Sequence, residues 1–259
     1  MKTSSSPTAK TLISLFALST FAFANAADLD SEVDSKIAGM VKAILENHST
    51  DNRTNQEMID YMDKACKNPE LLTAKLRKAS EVGLGIADSP DKKIRVFSWD
   101  CGGGGTMHFI HSIAQYEVPG SKQTSVIKLH PKDPPKDHDD PDPGWFFSSI
   151  DPIQTVDGKT VYLIMGDGTF DRFSFGITVE AYSIEGGKLV KTPFFKTTKS
   201  LLDSISCEFK GEHVSATAIQ LADNKTTLKI PLLKADYTPT GKYLVYKFDG
   251  HKFVYIPAK

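Results

Sequence analysis

Little in this chain points to a membrane, to nucleic acid or to a familiar reaction. No apolar stretch reaches the roughly 20 residues that a helix needs to cross a bilayer of about 30 Å, so no membrane-embedded helix is expected. Charge of either sign is not in excess: the formal net charge is −1, so no overall field draws the chain to nucleic acid. Cysteine is sparse as well. Cys66, Cys101 and Cys207 are too far apart for any zinc motif and allow at most one intramolecular bridge. Also missing are the Gly-x-Ser-x-Gly elbow, His-Glu-x-x-His, the Walker loop and the dinucleotide fingerprint, so no cofactor is expected.

What is present begins with an export signal. Lys2 and Lys10 precede an apolar run from Leu12 to Ala24, and Ala24-Asn25-Ala26 supplies the small residues of a cleavage site. Residues 1–26 are therefore expected to be a signal peptide, and the mature protein to work in the periplasm or outside the cell. In an oxidising compartment a disulfide becomes feasible. Cys101–Cys207 is the expected pair, because Cys66 falls on the apolar stripe of a helix.

Residues 27–87 read as a helical region. Val33, Ile37, Met40, Val41, Ile44 and Leu45 recur at three- and four-residue intervals, one stripe of an amphipathic helix ending near Asn47. Thr54-Asn55-Gln56-Glu57 has the form of a capping box, and Met58, Ile59, Met62 and Cys66 follow as a buried side. Asn68-Pro69-Glu70 offers an N-cap, a proline at the first helical position and an acidic first turn. A third helix is expected from there through Leu71, Leu72, Leu76 and Ala79, stopped by Gly83 and Gly85.

Residues 88–259 read as one antiparallel β domain, giving an α+β fold of N-terminal helices packed on a large sheet arranged as a meander, sandwich or propeller-like array. Its centre is a hairpin. Lys92–Asp100 carries apolar groups on both alternating faces, the pattern of a strand covered on two sides, and Thr106–Glu117 is its expected partner. Gly102, Gly103, Gly104 and Gly105 lie between them, more glycines than a turn requires. After a short strand at Ser125–Leu129, the segment 131–144 is rich in proline and aspartate and reads as a solvated loop. Its His138, with Asp137, Asp139, Asp140 and Asp142, fits no EF-hand spacing. The remainder is a succession of short strands separated by Asp-Gly, Gly-Gly and Asp-Asn turns, about ten to twelve strands in all.

The stretch Ser98-Trp99-Asp100, the glycines, and Gly105-Thr106-Met107-His108-Phe109 resembles a motif in uncharacterised exported proteins of Gram-negative bacteria. That resemblance implies a β-rich fold after a helical segment, and export, but no activity.

Function is read from the same stretch. Large aromatics beside an adaptable loop often anchor protein interfaces, so Trp99, Asp100, Gly102, Gly103, Gly104, Gly105, His108 and Phe109 are the candidate binding residues. The favoured function is a non-catalytic exported protein-binding module of inhibitor or immunity-protein type, with a periplasmic or secreted protein as partner. One alternative is an envelope-polymer hydrolase with a cleft near the glycine loop, using Asp100, His108 and Asp167 or Asp171. Another is a carrier of Ca²⁺ or a small ligand through the acidic loop.

Overall fold

The computed structural model describes residues 21–47, 53–102, 105–130, 143–210 and 218–257. Strand (48%) outweighs helix (19%), and the helices are N-terminal, so the class is α+β with mostly antiparallel sheets.

The apolar stripe predicted for the first helix is the face that it buries. In α1 (Phe21–Asn47) Ile37, Val41 and Ile44 are buried, with Val33, Met40 and Leu45 packed at their edge. α1 runs on through the residues expected to flank the cleavage site, while residues 1–20 lie outside the described ones. α2 (Arg53–Ala65) starts one residue before Thr54 and buries Met58, Ile59 and Met62. The expected capping box does not form, because Thr54 is inside the helix and Glu57 Oε1 accepts from Arg53 Nε at 3.1 Å.

The third helix is broken in two. Asn68 does act as a cap, its Oδ1 accepting from Glu70 N–H at 3.0 Å, but Pro69–Leu72 is a single 3-10 turn and α3 is only Arg77–Glu81. The physical cause lies outside the segment. Arg95 Nη1 donates to Leu71 O at 2.8 Å and to Ala74 O at 2.7 Å, taking carbonyls that a continuous helix would have used for itself. Asp34 of α1 then caps α3, accepting from Lys78 N–H at 3.0 Å and Ala79 N–H at 2.9 Å.

The strands form three sheets. The first is a meander of β1 (Gly85–Asp88), β2 (Ile94–Asp100), β3 (Ile110–Glu117) and β4 (Thr124–His130). β1 belongs to a segment expected to be helical: Gly83, at φ +108°, closes α3, whereas Gly85 opens a strand. The second sheet contains β5 (Phe146–Gln154), β6 (Thr160–Thr169) and β7 (Ser174–Glu185), with β8 (Lys188–Lys191) and β11 (Ser204–Lys210) dividing the free edge of β7. The third takes β9 (Phe195–Lys196), β10 (Leu201–Leu202), β12 (Gln220–Ala222), β13 (Thr227–Leu233), β14 (Pro239–Phe248) and β15 (Phe253–Ile256), with β15 and β9 forming a parallel pair.

The sheets stack because strand side chains alternate between two faces. On β2, Phe97 and Trp99 enter the core shared with the helices, while Ile94 and Val96 enter the core shared with the second sheet through Phe147, Tyr162 and Ile164. On β6, Tyr162 and Ile164 face the first sheet, whereas Val161 and Leu163 face Phe195, Leu228, Ile230 and Phe253 of the third. The layers thus run helices, first sheet, second sheet, third sheet.

Candidate functional site

The β2–β3 connection is organised by Asp100. It ends β2, and the alternation that turns Trp99 toward the helices turns Asp100 the other way. Its Oδ1 accepts from Gly102 N–H at 2.8 Å, and its Oδ2 lies 2.5 Å from His108 Nδ1. His108 precedes β3 rather than lying on the expected strand Thr106–Glu117, so strand alternation does not govern where it points. The His108 backbone N–H donates to Thr169 O at 3.0 Å and ties this loop to the β6–β7 hairpin. Cys101 N–H donates to Phe109 O at 2.7 Å, closing the base of the loop.

The candidate residues therefore divide. Asp100, Gly102 and His108 come together, His108 being half exposed and Asp100 about a quarter exposed. Gly105 is exposed with open space around it, and Phe109 is half-buried. Gly103 and Gly104 lie outside the described residues. Trp99 is a correction: it is fully buried, its indole N–H donates to Asn55 Oδ1 at 2.9 Å, and its ring lies 4.9 Å from that of buried His111, so it is core rather than contact surface. Gly102 is also explained by packing. Its φ is +79°, and a Cβ would lie 2.8 Å from Ile44 O, so glycine is what lets the loop approach α1 closely.

The hydrolase candidates beyond Asp100 and His108 separate too. Asp171 Oδ1 accepts from Phe173 N–H at 2.6 Å and Ser174 N–H at 2.8 Å. The Phe173 and Ser174 bonds hold its carboxyl below the usual range, and it serves as a turn cap. Asp167 sits on β6 between Phe146 and Ile177. The residues offered for Ca²⁺, within 137–142, lie outside the described ones, and no metal-competent cluster occurs among those described.

All three cysteines are free, so the expected Cys101–Cys207 bridge is not present. Cys101 lies under the helical layer, where burial, partly offset by a hydrogen bond from Asn55, pushes its thiol up to about 12. Cys207, on β11, packs against the core between the second and third sheets, and burial raises it as well. Neither is an activated nucleophile, since reactivity requires a depressed thiol pKa.

Sequence reasoning missed the aromatic residues at this end of the stack. Trp145 and Phe170 meet edge to face with centroids 5.6 Å apart. A Cβ on Gly176 would lie 2.5 Å from the Phe170 ring and 2.7 Å from Trp145, so that glycine makes room for the pair. Phe173, at the tip of the β6–β7 hairpin, is 64% exposed, with Arg172 over its ring. Tyr237, in the β13–β14 turn, is 51% exposed. Lys210 connects the two, since it pairs with Ser174 across β11–β7 while its N–H donates to Tyr237 O at 3.0 Å. A signal did exist in the sequence: Phe173 follows Asp171-Arg172 and Tyr237 follows Ala235-Asp236, turn-type contexts in which a large aromatic has no core to enter.

No protein-family model, curated protein or solved structure matches the chain. No helix among the described residues is long and apolar enough to cross a membrane.

Proposed function

We propose that the chain is a non-catalytic, exported protein-binding module of inhibitor or immunity-protein type, and that it engages a periplasmic or secreted protein through the loops at the glycine-loop end of its sheets. The observation that carries this is the pair of outward aromatics, Phe173 and Tyr237, held on turns that hydrogen bonds fix to the same end as His108 and Asp100. Exposed large aromatics cost solvation when free, and they are the residues that most often anchor interfaces. Residues 1–26, with their basic start, apolar run and Ala-Asn-Ala, support export.

The test uses the mature protein with a photo-crosslinking residue at position 173, exposed to a periplasmic extract. A discrete crosslinked protein that is lost in the variant carrying both Tyr237→Ala and His108→Ala, with the thermal midpoint unchanged, is the expected result. Crosslinking that is absent, or indifferent to those substitutions, overturns the proposal.

A hydrolase remains a second reading because of one contact, His108 Nδ1 to Asp100 Oδ2, the base-and-orienter arrangement of general-base catalysis. Turnover of envelope polysaccharide or peptide that disappears in His108→Ala would put that reading in place of the first.

A further inference from the structure

A cleft of about 530 Å³ opens away from the loop end, between the segment Thr73–Arg77, α3 and strand β1. Its size is within the range of small-molecule sites. Its floor is built. Arg95 is nearly buried, and its Nε and Nη2 donate to Asp88 at 2.6 and 2.9 Å while Nη1 holds Leu71 O and Ala74 O. Asp34 fixes the other end of the wall through the first turn of α3. The Thr73–Arg77 wall is thus held from both sides before any ligand arrives, which reduces the ordering cost of binding.

The lining is uneven in charge. Lys75, Arg77, Lys92 and Arg95 face Asp88 and Glu81. Asp88 is already engaged by Arg95 and, at 3.5 Å, by Lys92. Lys75 and Arg77 make no ion pair among the described residues, and the hydroxyls of Thr73 and Ser80 make no hydrogen bond among them. Half-buried Ile86 gives the same cleft an apolar patch, with Ala74 and Leu76 buried behind it.

From this we infer that the cleft binds a small organic anion, a carboxylate on a short apolar body, with Lys75 and Arg77 taking the carboxylate and Ile86 the apolar part. The inference is independent of the protein-binding surface, which lies on other loops. Glu81, on the rim, opposes the ligand charge and sets the sign of a second test.

Titration calorimetry of the full chain with hexanoate, with hexanol and inorganic phosphate as controls, decides it. Saturable hexanoate binding is expected, weakened about tenfold in K75Q/R77Q, where two exposed ion pairs are lost, and strengthened in E81Q. Both variants change exposed side chains, so folding is not at stake. Overturning results are no saturable hexanoate binding, equal affinity in K75Q/R77Q, hexanol binding as well as hexanoate, or phosphate binding as well as hexanoate.

Discussion

The first and third sheets cover their faces in opposite ways. β2 is buried along nearly its whole length, because helices lie on one face and the second sheet on the other. β14 is half-buried or exposed at all but one position, since among the described residues only the face carrying Leu244, Tyr246 and Phe248 meets another layer. Its opposite face presents Tyr243, Val245 and Lys247, and the neighbouring strands add Lys229, Val254 and Ile256. Both strands pair antiparallel with both of their neighbours, so backbone pairing does not explain the difference. What differs is the number of layers that each sheet separates, and this decides where substitutions hurt and where polar side chains must find partners.

The widest contrast should appear in thiol chemistry. Cys66 is buried between α2 and the first sheet, and burial, reinforced by the charge of Asp63, pushes its thiol far up. With Cys101 pushed up to about 12, native-state alkylation of either at pH 8 should be slower than in the unfolded chain by roughly a thousandfold or more, because the thiolate is the nucleophile. Cys207, on the second sheet's free edge, should react before them. Mass-resolved alkylation with and without denaturant gives the order, and a fast Cys101 would show that the helical layer opens readily.

Next in size is the core under the helices. Trp99→Ala should cost about 3–5 kcal/mol in chemical denaturation, through lost burial and the cavity left behind. Arg95→Met should cost about 2–4 kcal/mol, because it orphans Leu71 O and Ala74 O and leaves the Asp88 carboxylate only its partly exposed contact with Lys92. It should also change the helix signal, since those carbonyls become free to continue the Pro69 turn. A neutral Arg95→Met would mean that solvent satisfies the three groups equally well.

These two residues show what the sequence displayed and what it hid. The two-sided burial of β2 was legible, because apolar groups at Ile94, Val96, Phe97 and Trp99 fill both alternation classes. The same alternation separates Trp99 from Asp100, which removes Trp99 from the candidate site. The break in the third helix was not legible, because it depends on a guanidinium more than 20 residues further along the chain. β5 was also hidden. Asp151 and Pro152 interrupt its pattern, and the proline is tolerated only because β5 is an edge of its sheet. In the candidate site, Asp100 and His108 were found from their nearness to the glycines, whereas Tyr237 reaches that end only through the pairing of Lys210.

Gly102 and Gly105 allow a finer contrast within one loop. Both have positive φ, but a Cβ on Gly102 meets Ile44 O whereas one on Gly105 meets nothing within 4 Å. Gly102→Ala should therefore cost more, about 1–3 kcal/mol against about 1 for Gly105→Ala. Equal thermal shifts would indicate that the loop does not rest on α1 in solution.

A smaller effect is expected from pH. Burial pushes Asp88 up, but the hydrogen bonds and charge of Arg95, together with Lys92, outweigh it and hold the carboxyl below the usual range. A lowered native pKa contributes stability that is present above the ordinary carboxylate value of about 4 and is lost as pH falls toward the native value. Wild type and Asp88→Asn should therefore differ at pH 7 and converge below about pH 4, as read from denaturation midpoints. Convergence on raising the pH would reverse the sign and refute the pairing.

The smallest effect should lie on the third sheet's outer face. Val245 sits opposite Lys229 and Ile256, half-buried, with no layer over it among the described residues. Val245→Thr keeps the β-branched shape and leaves its hydroxyl free to meet water, so a change below about 0.5 kcal/mol is expected. The matched change on the first sheet, Val96→Thr, places a hydroxyl in a core where Val96 is fully buried, and should cost about 1–3 kcal/mol. If Val245→Thr proves as costly as Val96→Thr, the outer face is covered in solution. A thermal midpoint of the wild type that rises with protein concentration would then identify a second copy as the cover.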